Sequence, residues 1–367
     1  MQYSQTSYRR YFFHNAVAFI CLGLLSLMAG CDKLPEFGGA DSDKDKTAEN
    51  STDTANKQPG SDSTDSNSSQ TASNPPVDPG ASGSTSPGDL AAFLETPPFK
   101  RTNSQLKSLA SSGESAEKLT KLDLSGSQVK SDGLKVLPQF KNIVELNLGD
   151  VKGLQDSDLL FVGQLPNLEV LVLQSTPITD NGLSHLTSLK KLKSLNLQRT
   201  GISDSGFLHL KNLTALEELN VANTGTNGSG FKVFYPRGLR VIDASHTAFG
   251  TDGFNHIANS KTLESLSVAQ ASVVDNNLRA LKGCINLRKL DLAYNSVTTL
   301  GFKDLGGLRN LEHLDLWNNS GVGDVALNVI KNYKKLKFLN TEGTGVSGAA
   351  LARLKKDYIP ELNSRQN

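Results

Sequence analysis

Cysteine, histidine and the carboxylates are the side chains of this chain that could do chemistry, and their spacing decides which chemistry is open to them. Its three cysteines, Cys21, Cys31 and Cys284, show neither metal-ligand spacing nor a disulfide framework. Cys284 takes a place that other segments fill with Leu189, Leu213 and Leu308, so a buried thiol is expected rather than a nucleophile. His185, His209 and His256 recur at one place in similar segments. Neighbouring helices lie about 8–10 Å apart, however, and the segment between the second and third carries Val233 there. With no acid or thiol in register, the histidines read as surface residues, and no metal or other cofactor is expected. The motifs G-x-S-x-G, H-E-x-x-H, C-x-x-C and the phosphate-binding loop are all absent, so the chain does not read as an enzyme. A more regular set is the column Asp123, Asn147, Val172, Asn196, Asn220, Asp243, Ser267, Asp291, Asp315 and Asn340. Such oxygens suit a calcium ion or a sugar, or form a polar ladder with no ligand, and both readings stay open.

The column is regular because the chain repeats. An L-x-x-L-x-L pattern starts at Leu119, Ile143, Leu168, Leu192, Leu216, Leu239, Leu263, Leu287, Leu311 and Leu336, spaced 23 to 25 residues apart. A period of this size marks stacked units, none of which buries its own apolar side. The x-L-x-L core predicts a short strand with leucines inward. The ninth position holds Thr176, Thr200, Thr224, Thr247 and Thr344, or Asn295 and Asn319, able to bond the backbone that leaves the strand. Asp180, Asp204, Asp275 and Asp324 stand where helix N-caps are expected. Gly182, Gly206, Gly230, Gly253 and Gly301 follow, admitting close approach in the first helical turn. Ten strands at about 4.8 Å predict a sheet roughly 45 Å long.

The unit LxxLxLxxTxITDxGLxxLxxLxx resembles the bacterial type of leucine-rich repeat, over Leu119 to about Lys355. The resemblance implies an α/β solenoid, a horseshoe with a parallel concave sheet and convex helices, in about ten repeats at 119–355. Residues 89–118 are expected to form an N-terminal cap or half-repeat around Leu106, Leu109 and Ala116. Residues 356–367 are expected to form a C-terminal cap using Tyr358, Ile359 and Leu362.

Residues 1–31 have the layout of a secretory signal: Arg9 and Arg10, an apolar run from Ala16 to Gly30, then Cys31. The run is too short for a comfortable membrane span. Its end, L-M-A-G-C, resembles the lipobox of bacterial lipoproteins, which implies that Cys31 carries lipid and begins the mature chain. By the same resemblance, Asp32 favours the inner membrane, placing the protein on the periplasmic side of the envelope. Residues 32–88 hold 10 acidic and 4 basic residues and almost no large apolar ones. That composition predicts a disordered tether spanning roughly 40 Å.

Lys plus Arg number 38 and Asp plus Glu 37, a balance that does not point to nucleic acid. The expected function is a membrane-anchored, non-enzymatic and monomeric scaffold that binds a protein, or a glycan, through its concave face. In the first seven repeats that face is mainly small or polar, whereas the last three present Tyr294, His313, Asp315, Trp317 and Phe338. Aromatic anchors rimmed by charge are typical of docking sites. Equally, the tail from Tyr358 onward could fold back over them as a cap. The other function class is a structural envelope spacer. It would touch wall polymer or an anionic surface through basic convex runs such as Lys190-Lys191-Leu192-Lys193 and Lys334-Lys335-Leu336-Lys337.

Overall fold

The computed structural model describes residues 90–366, apart from 236, 251 and 259. The signal layout, Cys31 and the stretch 32–88 lie outside the described residues. The chain divides into units 1–78 and 79–367, and the second holds all the elements below.

Among the described residues, eleven three-residue strands form one sheet in strict chain order, from β1 (Lys121–Asp123) through β10 (Phe338–Asn340) to β11 (Asn363–Arg365). All neighbours are parallel and in one register, so Leu122 faces Leu146, Leu195 faces Leu219 and Leu290 faces Leu314. These leucines are buried, and with the helical layer they make one continuous core along the stack. The architecture is the expected leucine-rich-repeat solenoid. Its helical layer is thinner than one regular helix per repeat. Asp180–Leu183 and Phe207–Leu210 are single turns, and Thr299–Asp304 is wholly 3₁₀. A unit of about 24 residues that returns to the same sheet leaves room for little more, and the tighter 3₁₀ turn fits the gap.

The aspartates do something other than cap their own helices. Thr179 and Ser203 are the N-cap residues, and Asp180 and Asp204 are the first residues of the helical turns. Each carboxylate crosses to the following repeat. Asp156 accepts from Thr179 N at 2.8 Å, Asp180 from Ser203 N at 2.8 Å, and Asp275 from Thr298 N at 2.7 Å and Oγ1 at 2.6 Å. The glycines make room for this crossing, since a Cβ on Gly182 would lie 2.5 Å from Asp156 Oδ1. In the fifth repeat Gly228 replaces the aspartate, and an aromatic cluster fills that region. Phe231 lies 5.1 Å from Phe207 and 5.5 Å from Phe249, ring centre to ring centre.

At the ninth position, Thr200 Oγ1 donates to Leu197 O at 2.6 Å and Thr247 Oγ1 to Ala244 O at 2.6 Å. Asn319, fully buried, reaches further. Its Nδ2 donates to Leu316 O at 3.0 Å and to Leu292 O of the preceding repeat at 2.8 Å, and its Oδ1 accepts from Val297 N at 3.0 Å.

Three helices, α1 (Leu90–Glu95), α2 (Asn103–Ser111) and α3 (Glu114–Lys118), precede β1. Leu106, Leu109 and Ala116 are buried there. Asn103 takes the part of a repeat aspartate, accepting from Lys130 N at 3.0 Å. Buried Arg101 closes the first edge of the sheet: its guanidinium donates to Asp123 O in β1 and to Thr96 O, and packs 4.5 Å from the Phe93 ring centre. At the far end the helix Gly348–Asp357 leads into β11, which pairs with β10. Ile359 and Leu362 are buried, but Tyr358 is exposed, with Lys331 and Lys334 at 5.5 and 5.4 Å from its ring centre. Cys284 is a buried free thiol. No described helix is long and apolar enough to cross a membrane.

Candidate binding face

The oxygen-rich column faces out of the sheet, and much of its bonding capacity is used at home. Asp291 Oδ1 accepts from Ala293 N at 3.0 Å, Asp315 Oδ1 from Trp317 N at 2.9 Å and Asn340 Oδ1 from Glu342 N at 3.1 Å. Each bond holds a turn whose next residue takes a left-handed conformation, as at Tyr294 and Asn318, with φ of 54° and 56°. Asn and Asp suit this local bonding because their short side chains reach the backbone two residues on. Among the described residues no group of three His, Cys, Asp or Glu side chains could hold a metal.

Burial raises the carboxyl pKa of Asp315 and of Asp243, and Asp291, the neighbouring negative charge, pushes both further up. Asp315 Oδ2 also accepts from Asn340 Nδ2 at 3.2 Å.

The five predicted docking residues form two contacting ring pairs and a carboxylate. The rings of Tyr294 and Trp317 meet edge to face at 4.6 Å, and each residue keeps 40% of its surface exposed. His313 stacks on Phe338 at 4.3 Å with planes 13° apart. Burial, with Lys289 as the next cause, lowers the His313 pKa to about 4, so the imidazole is neutral at pH 7. The tail covers only part of this surface: the Arg365 guanidinium lies 5.6 Å from the Phe338 ring centre, while Tyr294 and Trp317 stay open. His185, His209 and His256 lie apart from this face, on the helical layer.

A ladder of ion pairs runs beside the face, and it was missed in reading the basic runs as a block. The second position of successive repeats alternates in sign: Glu169, Lys193, Glu217, Arg240, Glu264, Arg288, Glu312, Lys337. Lys193 pairs with Glu169 at 2.9 Å, Arg240 with Glu264 at 2.7 Å, and Glu312 with both Lys337 at 2.7 Å and Arg288 at 2.5 Å. Lys337, then Arg288, hold the Glu312 carboxyl below its usual range. The signal was available as an alternation at a period of 24, visible only once charges are sorted by repeat position.

Comparison with known proteins agrees with the repeat type. A family model described as Leucine Rich repeat matches residues 115–137, 164–187 and 188–207, and one described as Leucine Rich repeats (2 copies) matches 285–332. No curated protein matches the chain. Among solved structures, the mouse RP105/MD-1 complex is similar at 17% identity and a TM-score of 0.50, over 66% of this chain and 41% of that one. An internalin from Listeria monocytogenes is 17% identical with a TM-score of 0.45, over 78% and 99% of the two chains. The TLR13–ssRNA13 complex is 18% identical with a TM-score of 0.43, over 64% and 40%. At these identities the likeness concerns the fold alone.

Proposed function

The chain is a leucine-rich-repeat protein, and we propose that it is a non-catalytic scaffold that docks a protein partner on the last three repeats of its concave face. One observation carries the reading: Tyr294 and Trp317 form an ordered aromatic pair that stays 40% exposed beside charged Asp291 and Lys289. Large rings that lose little freedom on binding are effective anchors. The rigid stack behind them adds no ordering cost of its own. Display from a bacterial envelope membrane, through lipid on Cys31 and a spacer at 32–88, belongs to the same proposal. It rests on L-M-A-G-C and on composition.

The test is a crosslinking capture with the intact chain in its own envelope, comparing wild type with Trp317→Ala and Tyr294→Ala. Salt-resistant capture of one partner, lost in both variants at little-changed melting temperature, supports docking. Equal capture by all three would remove this face from consideration.

A further inference from the structure

The loops that join each helical segment to the next strand carry a second, separate feature. Two residues before the first apolar residue of repeats two to ten stand Lys141, Lys190, Arg237, Lys261, Arg309 and Lys334, with Pro166, Thr214 and Ile285 in the other three; the same place ahead of the first repeat holds Glu117. All six cations are exposed. Among the described residues none lies within ion-pair distance of a carboxylate. Their recorded bonds are to backbone oxygens, as from Lys190 Nζ to Thr187 O at 2.9 Å and from Lys261 Nζ to Gly283 O at 3.2 Å.

Local acids do not neutralise this row. The acidic residues of the same loops up to Leu336 are Glu169, Glu217, Glu264 and Glu312, and each is engaged by a ladder cation of a neighbouring repeat: Glu169 by Lys193, Glu217 and Glu264 by Arg240, and Glu312 by Lys337. The ladder therefore cancels itself and leaves the row as net positive charge. The row is narrow, widening to two residues where Lys191 and Lys335 stand beside Lys190 and Lys334. Successive repeats advance by about 4.8 Å at the strands and by about 8–10 Å at the helices, so adjacent occupied loops set cations a monomer length or two apart.

From this geometry we infer that the loop edge binds a linear acidic polysaccharide, a chain with carboxylates at regular intervals. A narrow line of charge along one edge suits a flexible chain better than a flat lipid surface. Nucleic acid is disfavoured because sequence-tolerant binding of single strands uses exposed rings on which bases stack. In these loops Phe140, Phe234 and Tyr333 are buried and Tyr235 is half-buried, and the exposed ring of Tyr358 is already packed against Lys331 and Lys334. The inference is independent of the docking reading. It uses a different surface from the docking face, and it keeps only Lys190 and Lys334 of the two basic runs as row members, since Lys193 and Lys337 are already paired.

The experiment titrates the full chain, in detergent, with a size-selected polyuronate. Parallel arms use neutral dextran, a single-stranded oligonucleotide and phosphatidylglycerol vesicles. Binding should weaken steeply between about 50 and 200 mM salt, as expected for displaced counterions. The variant Lys190→Gln/Arg237→Gln/Lys261→Gln/Arg309→Gln should bind at least about tenfold more weakly at low salt, with a log–log salt slope flatter by roughly 3. The charge-preserving variant Lys190→Arg/Arg237→Lys/Lys261→Arg/Arg309→Lys should bind as wild type does. No polyuronate binding, binding unchanged in the neutralised variant, or equal loss in the charge-preserving one would overturn the inference. Equal or tighter binding of the oligonucleotide or the vesicles would overturn it in favour of those partners.

Discussion

Asp275 and Gly301 sit in neighbouring repeats and compete for one space. A Cβ on Gly301 would stand 2.6 Å from Asp275 Oδ1, the same oxygen that accepts from Thr298 N at 2.7 Å. The aspartate and the glycine are thus one device, written 26 residues apart. Gly301→Ala is expected to destabilise by about 1–3 kcal/mol, through overpacking and a displaced carboxylate. Asp275→Ala removes the collision along with the bonds, so the double variant should cost less than the two single changes summed. Urea denaturation of all four proteins measures this, and strict additivity would show that the two residues do not compete.

Asn319 ties two repeats together where the threonines tie only one. Asn319→Ala removes three bonds and leaves Val297 N of the preceding repeat without its acceptor in a dry site, and is expected to cost roughly 3 kcal/mol, against about 1 kcal/mol for Thr200→Val. Asn319→Thr should fall between them, because it restores the bond to Leu316 O but not the one to Leu292 O. Wild-type stability in Asn319→Thr would mean that the cross-repeat bonds carry nothing.

His313 supplies a pH signature. Its folded pKa, lowered to about 4 chiefly by burial, lies below the unfolded value near 6.5. Between those values the unfolded chain binds more protons, so His313 makes stability rise with pH across that window and contributes no pH slope above it. Asp315 and Asp243, whose pKa values are raised, act oppositely above the ordinary carboxylate range. The clean observable is therefore the imidazole itself. Its NMR titration should have a midpoint near pH 4, and a midpoint near 6.5 would refute the burial. In His313→Gln the rise in stability between pH 4 and 6.5 should shrink.

Trp317 is the only tryptophan in the chain, so its fluorescence reports one site. At 40% exposure it should emit as a partly solvated indole and be quenched by acrylamide. Trp317→Ala should cost no more than about 0.5–1.5 kcal/mol, the worth of its edge-to-face contact with Tyr294. Tyr333, fully buried with its hydroxyl donating to Leu305 O at 3.1 Å, provides the contrast. Tyr333→Ala should cost roughly 3–5 kcal/mol. Comparable losses in the two variants would mean that Trp317 is covered.

The stack could be read from Leu122, Leu146 and their successors because an inward leucine recurs at every turn of the chain, whatever surrounds it. The aspartates misled for a physical reason. Within one repeat, Asp180 ahead of an apolar run looks like a cap. Only its spacing of 23 residues to Ser203, matched by Asp275 with Thr298 and Asp324 with Ser347, points to a partner in the next unit. Arg101 gave no sign, since its acceptors are carbonyl oxygens that any sequence supplies. On the concave face the positions of Tyr294, His313, Trp317 and Phe338 followed from the repeat. Which ring met which did not, because contacts between repeats depend on rotamers rather than on period.

The aromatic stretch at the fifth and sixth repeats changes how the solenoid answers to cold. On either side, neighbouring units are stitched by carboxylates bonded to backbone N–H groups, as at Asp180 with Ser203 and Asp275 with Thr298. Asp204 still stitches the fourth repeat to the fifth, but from the fifth to the sixth, where Gly228 replaces the aspartate, Phe231 instead meets Phe249 ring against ring. Apolar attraction fades as water is chilled, whereas the polar stitches do not share that dependence. Cooling is therefore expected to weaken the joint between the fifth and sixth repeats more than those that a carboxylate stitches.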